Sequence, residues 1–119
     1  MSIQYKTYRL DESAEGADVA LKHKLFVSGW NLSGILKEIR ENKDGVVTIA
    51  YKDKVPVGVA VLNYRKECHC FVRKSERGNK IGTNLVRKTT KKQEEFYCYY
   101  GVIGSDRFWK QFNKGVYRG

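Results

Sequence analysis

With 119 residues the chain can build one core but not two, so it reads as one domain over residues 1–119. A composition that is 41% hydrophobic and 13% aromatic excludes a disordered chain, and no apolar run approaches the roughly 20 residues of a membrane span. Lys and Arg number 23 against 13 Asp and Glu, and the resulting +10 favours an anionic partner: nucleic acid, a phosphorylated cofactor or an acidic protein surface.

Residues 4–10 are rich in Tyr and Thr and predict a first strand. Asp11 and Ser13 offer N-caps for a helix over residues 14–28, with Ala17, Leu21, Leu25 and Ser28 on one face beside Ala20 and Phe26, and with Gly29 to stop it. After a break at Trp30 and Asn31, Ser33 is expected to cap a second helix. There Leu32, Ile35, Leu36 and Ile39 follow the helical period, and Asp44-Gly45 ends it. The β-branched run 46–51, a turn at 52–54 and a partner strand at 55–64 make a hairpin, with Pro56 near a strand start where a missing donor is tolerated. A strand at 67–72 precedes a polar segment, 73–80. A helix from Ile81 to about Glu94 follows, with Ile81, Leu85, Val86 and Thr89 inward and Arg87, Lys88, Lys91 and Lys92 outward. Residues 96–103 predict a Tyr-rich strand. Asp106 is placed to cap a short helix bearing Phe108, Trp109 and Phe112, and 114–119 is a tail or a strand fragment.

Strand, helix and strand over 67–103 form a βαβ unit, which requires parallel pairing and a right-handed crossover, while the other strands read as antiparallel. The expected fold class is therefore α/β with a mixed sheet. An odd number of cysteines (Cys68, Cys70 and Cys98), without a signal peptide, points to a soluble protein of the reducing cytoplasm. Cys68, His69 and Cys70 cannot converge on one ion, because neighbouring strand residues point to opposite faces and no second Cys/His pair stands at ligand spacing; no metal is expected. No nucleophile-elbow pattern occurs.

Residues 72–83 concentrate the chemistry. A strand ends, a glycine-containing polar loop follows, and a helix begins at once. The first turn of a helix has free N–H groups and a partial positive end, glycines let an anion approach, and Arg77 and Lys80 add charge. This is a phosphate cradle by its physics. The bland alternative is a basic turn whose glycines serve only helix–sheet packing.

Arg77-Gly78-Asn79-Lys80-Ile81-Gly82 resembles the pyrophosphate loop of the GNAT N-acetyltransferases, commonly Arg-Gly-x-Gly-Ile-Gly. Val72 stands five residues before the Arg, as that family's strand-ending Val does, and Leu85-Val86 matches its apolar helix pair. Residues 55–60, with Val57-Gly58, resemble its third strand. The resemblance implies a GNAT-like sheet, mostly antiparallel, with one central splayed parallel pair and flanking helices. It implies acetyl-CoA as co-substrate, its diphosphate on the N–H groups of Arg77, Gly78, Asn79, Lys80, Ile81, Gly82 and Thr83, and its pantetheine beside the backbone of Phe71 and Val72. It also implies acetyl transfer to a primary amine, such as a protein lysine or N-terminus, by direct attack on the thioester.

Two positions depart from the pattern. Lys80 stands where the family has its middle Gly, so its Cβ narrows the approach or its ammonium pairs with a phosphate. Trp109 stands where many members have a Tyr that protonates the thiolate; Tyr97, Tyr99, Tyr100 and Tyr117 are the alternatives, and Trp109 also fits a core role. On the 67–72 strand, Glu67 and His69 are the candidate bases: Glu67 if desolvation raises its pKa, His69 because an unperturbed imidazole titrates at about 6.5. Both also fit purely structural roles, and solvent can take the proton instead. Family members carry a further C-terminal hairpin that walls the acceptor site, so the resemblance implies an open groove or one completed in a homodimer, with the segment at 28–33 as the opposite wall. The alternative is a GNAT-fold protein with weak or no catalysis that binds an acidic protein or nucleic acid through Arg87, Lys88, Lys91 and Lys92.

Overall fold

The computed structural model describes residues 2–26, 32–99, 108–112 and 115–118. The break expected at Trp30 and Asn31, the strand end and Asp106 cap expected within 100–107, and residues 113–114 lie outside these residues. The elements run β1 (Ile3–Arg9), α1 (Glu15–Lys22), α2 (Leu32–Asn42), β2 (Val46–Lys52), β3 (Val55–Leu62), β4 (Glu67–Val72), a 3-10 turn (Lys74–Glu76), α3 (Ile81–Thr89), β5 (Phe96–Tyr99) and β6 (Gly115–Arg118).

The six strands stand in sequence order in one sheet. β1 to β4 are antiparallel. β5 lies parallel to β4, which is the expected crossover pair, and the segment read as a tail or strand fragment adds β6 parallel to β5. β3 is central, and its near-continuous apolar sequence reflects cover on both faces. On one face α1 and α2 bury Ala17, Ala20, Leu32, Ile35, Leu36 and Ile39 against Val47, Ile49, Val59 and Val61. On the other, α3 buries Ile81, Leu85 and Val86 against Ala60, Leu62 and Cys68, together with Trp109 and Phe112. Among the described residues no helix is long and apolar enough to cross a membrane.

Three helix boundaries differ from the sequence reading, each for a local reason. α1 ends at Lys22 rather than near Ser28. Lys24 adopts φ +52°, its N–H donates to Leu21 O (3.2 Å), and Leu25 N–H donates to Ala20 O (2.9 Å). This is a Schellman stop with Lys24 in the place glycine usually takes, locked by burial of Leu25. Ser33 lies inside α2 rather than capping it. α3 stops at Thr89, where Thr89 Oγ1 and Thr90 Oγ1 bond back to Leu85 O (2.7 Å) and Val86 O (2.8 Å) instead of continuing toward Glu94.

The hairpin turn is only Asp53-Lys54, with φ +51° and +70°; two left-handed residues match the strand twist as an Asn-Gly pair would. Gly58 lets α3 approach the sheet: a Cβ there would stand 3.0 Å from Leu85 Cδ1 and 3.2 Å from the Phe71 carbonyl oxygen. The carbonyl belongs to β4 and cannot move aside. Gly58→Ala should therefore lower stability by about 1–3 kcal/mol in urea unfolding, without change of the m-value.

Candidate active site

β4 is tied to β3 at both ends by backbone hydrogen bonds. Arg73 N–H donates to Val57 O (2.8 Å), and Asn63 N–H donates to Glu67 O (3.1 Å) at the other end of the strand. Antiparallel ladders alternate, so these two bonds fix the direction of every peptide in β4. The groups of Glu67, His69 and Phe71 face β3, and those of Cys68, Cys70 and Val72 face the β5 side. The β4–β5 ladder pairs Glu67 with Tyr97 and Cys68 with Cys98. From Cys70 onward that side of β4 has no ladder partner among the described residues. Val72 O instead accepts Arg77 Nε–H at 3.0 Å, and the Arg77 guanidinium lies 6.0 Å from the Phe71 ring centroid.

Beyond Val72 the chain makes its 3-10 turn. Glu76 is anchored there by Lys52 Nζ, 3.0 and 3.3 Å from its two carboxylate oxygens, with the Glu76 side chain only 13% exposed. Gly78 has φ +93°, and an added Cβ would meet nothing within 4 Å, so the space beside it is open. Lys80 is the N-cap of α3, at φ +60° and ψ +17°, and provides no side-chain cap. A Ser or Asp cap would accept the N–H groups of the first turn, whereas an ammonium cannot. The first helical bond is Asn84 N–H to Lys80 O at 3.0 Å. From Gly78 to Thr83, no amide N–H has an acceptor among the described residues. Of the seven amides grouped from sequence, that of Arg77 donates to Lys74 O (3.4 Å), and the other six form a row of donors open among the described residues at the positive end of α3.

Lys80 explains the departure from the loop pattern. The position requires a left-handed backbone, which glycine adopts freely and Lys adopts at a cost of about 1–2 kcal/mol. Gly82 is tight for another reason: a Cβ there would stand 3.1 Å from Phe108 Cε1 and 3.5 Å from Val72 Cγ2. Thr83 Oγ1–H donates to Gln111 Oε1 at 3.1 Å, fastening the start of α3 to the 108–112 segment. Trp109 is buried, 3% exposed, in an edge-to-face cluster with Phe108 (4.9 Å), which is the core role. The side chains of Tyr99 and Tyr117, and all of Tyr100, lie outside the described residues; Tyr97 is half-buried on β5.

The two candidate bases sit in environments the sequence did not reveal. Burial pushes the Glu67 carboxyl up, but hydrogen bonds from Asn63 Nδ2 (2.9 Å) and Arg65 Nε (3.1 Å), with the Arg65 charge, outweigh it, and the pKa is lowered. Asn63 Oδ1 also accepts the Arg65 and Glu67 N–H groups, so Glu67 serves the β3–β4 turn. His69 is 3% exposed, and burial brings its pKa down to about 4 despite the neighbouring Glu67 charge. Burial pushes the Cys70 thiol up to about 12 and the Cys68 thiol well above its ordinary value. Among the described residues no group of three or more His, Cys, Asp or Glu side chains is placed to hold a metal ion. Arg87, Lys88, Lys91 and Lys92 are exposed, with Lys88 Nζ 5.2 Å from the Tyr5 ring centroid. The Phe71 main-chain groups face Val59 of β3, and the outward groups beside it are those of Cys70, which residue chemistry alone did not single out, and Val72.

Residues 8–110 match the acetyltransferase (GNAT) family, and the chain belongs to it. Its fold is similar to that of a ribosomal-protein-alanine N-acetyltransferase from Brucella melitensis biovar Abortus 2308, with TM-score 0.60 and 14% identity over 93% of this chain and 90% of that one. It is also similar to the aminoglycoside N-acetyltransferase AAC(6')-Iy in complex with CoA, with TM-score 0.54 and 15% identity over 99% of this chain and 77% of that one. A search of curated proteins finds no significant match.

Two outcomes follow from the loop and the strand. Lys80→Gly should raise stability by on the order of 0.5–1 kcal/mol in urea unfolding, the relief of left-handed strain less the extra freedom of unfolded glycine. For His69, the unfolded chain takes up a proton below about 6.5, whereas the folded chain does so only near about 4. The unfolded state therefore binds more protons across that window, and stability is lost as pH falls through it. The swing is on the order of 3 kcal/mol, and it should be missing from the pH dependence of a His69→Gln variant.

Proposed function

We propose that the protein transfers the acetyl group of acetyl-CoA to a primary amine, such as a protein lysine or N-terminus, in the reducing cytoplasm. The observation that carries this reading is the row of six open N–H donors from Gly78 to Thr83, beside a glycine whose missing side chain leaves their approach clear. A diphosphate is the ligand such a row suits, because several acceptor oxygens can be met at once in the positive field of α3. Lys80 replaces a side-chain cap with a cation that can pair with the same phosphates, so its left-handed strain coexists with a functional gain.

The outward peptides of Cys70 and Val72 are the pair on which an extended pantetheine can lie as an added strand. Arg77 Nε must then share or release Val72 O. Acetyl-CoA supplies an activated thioester; the chain supplies alignment of the two reactants and donors for developing negative charge. Direct attack is favoured over an acetyl-cysteine route, since the Cys70 thiol, held up at about 12, supplies almost no thiolate near neutral pH. Neither Glu67, held low by Asn63 and Arg65, nor His69 is tuned as a base near neutrality, which favours loss of the amine proton to solvent.

Acetyl-CoA at 100 times its Kd should stabilise the native protein by about 2.7 kcal/mol, read as a rise in Tm. Gly78→Val should abolish that rise while leaving the unliganded protein folded, because its Cβ enters open space and only the φ of +93° is strained. A flat response of the unaltered protein to millimolar acetyl-CoA would leave a binding protein with an enzyme's fold as the surviving reading.

A further inference from the structure

Arg73 is the first residue after β4, and none of the loop chemistry above uses its side chain. Its guanidinium lies between three segments. Nε–H donates to Pro56 O at 3.2 Å, at the entry of β3, and Nη2–H donates to His23 O at 2.9 Å, at the exit of α1. Its own N–H is fixed on Val57 O. His23 is the C-cap of α1, and a helix leaves its last carbonyls without partners at its negative end. The planar fork of Arg can satisfy two carbonyls in fixed directions, which a single ammonium cannot.

On both sides of this fork the backbone is closely tied. Toward the loop, Glu76 N–H donates to Arg73 O (2.9 Å) and Arg77 N–H to Lys74 O (3.4 Å), while Lys52 holds Glu76. The first open donor, Gly78, follows directly. Toward α1, the Schellman bonds of Lys24 and Leu25 fix the helix exit, and Leu25 is fully buried in the α1–α2 core. No flexible spacer among the described residues separates the open donor row from the α1 exit.

We propose that Arg73 is a positioning residue that links the coenzyme loop to the exit of α1, so that ordering one orders the other. This rests on the reading that residues 77–83 bind the coenzyme. It provides a physical route by which the bound coenzyme acts on the exit of α1. Coupling of this kind needs a contiguous network biased from both ends, and the Arg73 fork is the element that closes it.

Hydrogen exchange on the full chain, with and without saturating coenzyme A, tests the link. In the unaltered protein coenzyme A should slow exchange at residues 78–84 and, by roughly fivefold or more, at Lys24 and Leu25, whose N–H groups close the helix stop. Arg73→Ala should keep the protection at 78–84 and lose the coenzyme-dependent part at 24–25. Arg73→Lys, able to reach one carbonyl, should restore only part of it. Arg73→Gln, which retains a donor, stands in if the Ala variant does not fold. Protection at 78–84 without any at 24–25 in the unaltered protein overturns the proposal alone, as does full retention of the coupling in the Ala or Gln variant. No protection at 78–84 removes the coenzyme reading itself and this link with it.

Discussion

The candidate site depends on one constraint: backbone donors that have no acceptor among the described residues. Six successive amides, from Gly78 to Thr83, stand between the exit of β4 and the first turn of α3. Water can satisfy them, but they stand in succession at the positive end of one helix, where an oligovalent anion can satisfy several jointly. The rest of the local structure keeps that row open. Lys80 occupies the cap position and cannot accept, Gly78 contributes no side chain, and Glu76 and Arg73 hold the loop to β2, β3 and α1.

The sheet is arranged to support the same end of the molecule. β3 is covered on both faces and forms the rigid centre, and Gly58 lets α3 settle close to it. The position of α3 then follows from packing Ile81, Leu85 and Val86, and its N-terminus is brought to the exit of β4. The Phe108 ring against Gly82 and the Thr83–Gln111 bond secure that helix start from the opposite side. The donor row is thus fixed by core packing, although it contains few core residues.

Charge and burial act differently at the other end of β4. Glu67 is a turn residue first, tied to Asn63 and Arg65, and its carboxylate is held ionised. His69 is enclosed by the sheet and the α1–α2 layer and stays neutral to well below ordinary pH. The thiols of buried Cys68 and half-buried Cys70 are likewise kept protonated. A strand that bears Glu, His and two Cys in six residues therefore contributes its main chain to the candidate site more readily than its side chains.

Local sequence determined much of this protein. The order of strands and helices, the inward faces of α2 and α3, the hairpin of β2 and β3, and the glycine-containing loop ahead of a helix are short-range patterns, legible because periodicity and turn chemistry act over a few residues. Other features needed the tertiary structure. The early stop of α1 depends on Leu25 finding the core, and the direction of the Cys70 and Val72 peptides depends on the ladder with β3. The pKa values of Glu67 and His69 depend on burial and on neighbours brought in by a turn and a sheet. The Arg73 fork joins residues 50 apart in the chain, a contact that no local pattern encodes, because hydrogen bonding and desolvation are set by what the fold brings near rather than by what stands adjacent in sequence.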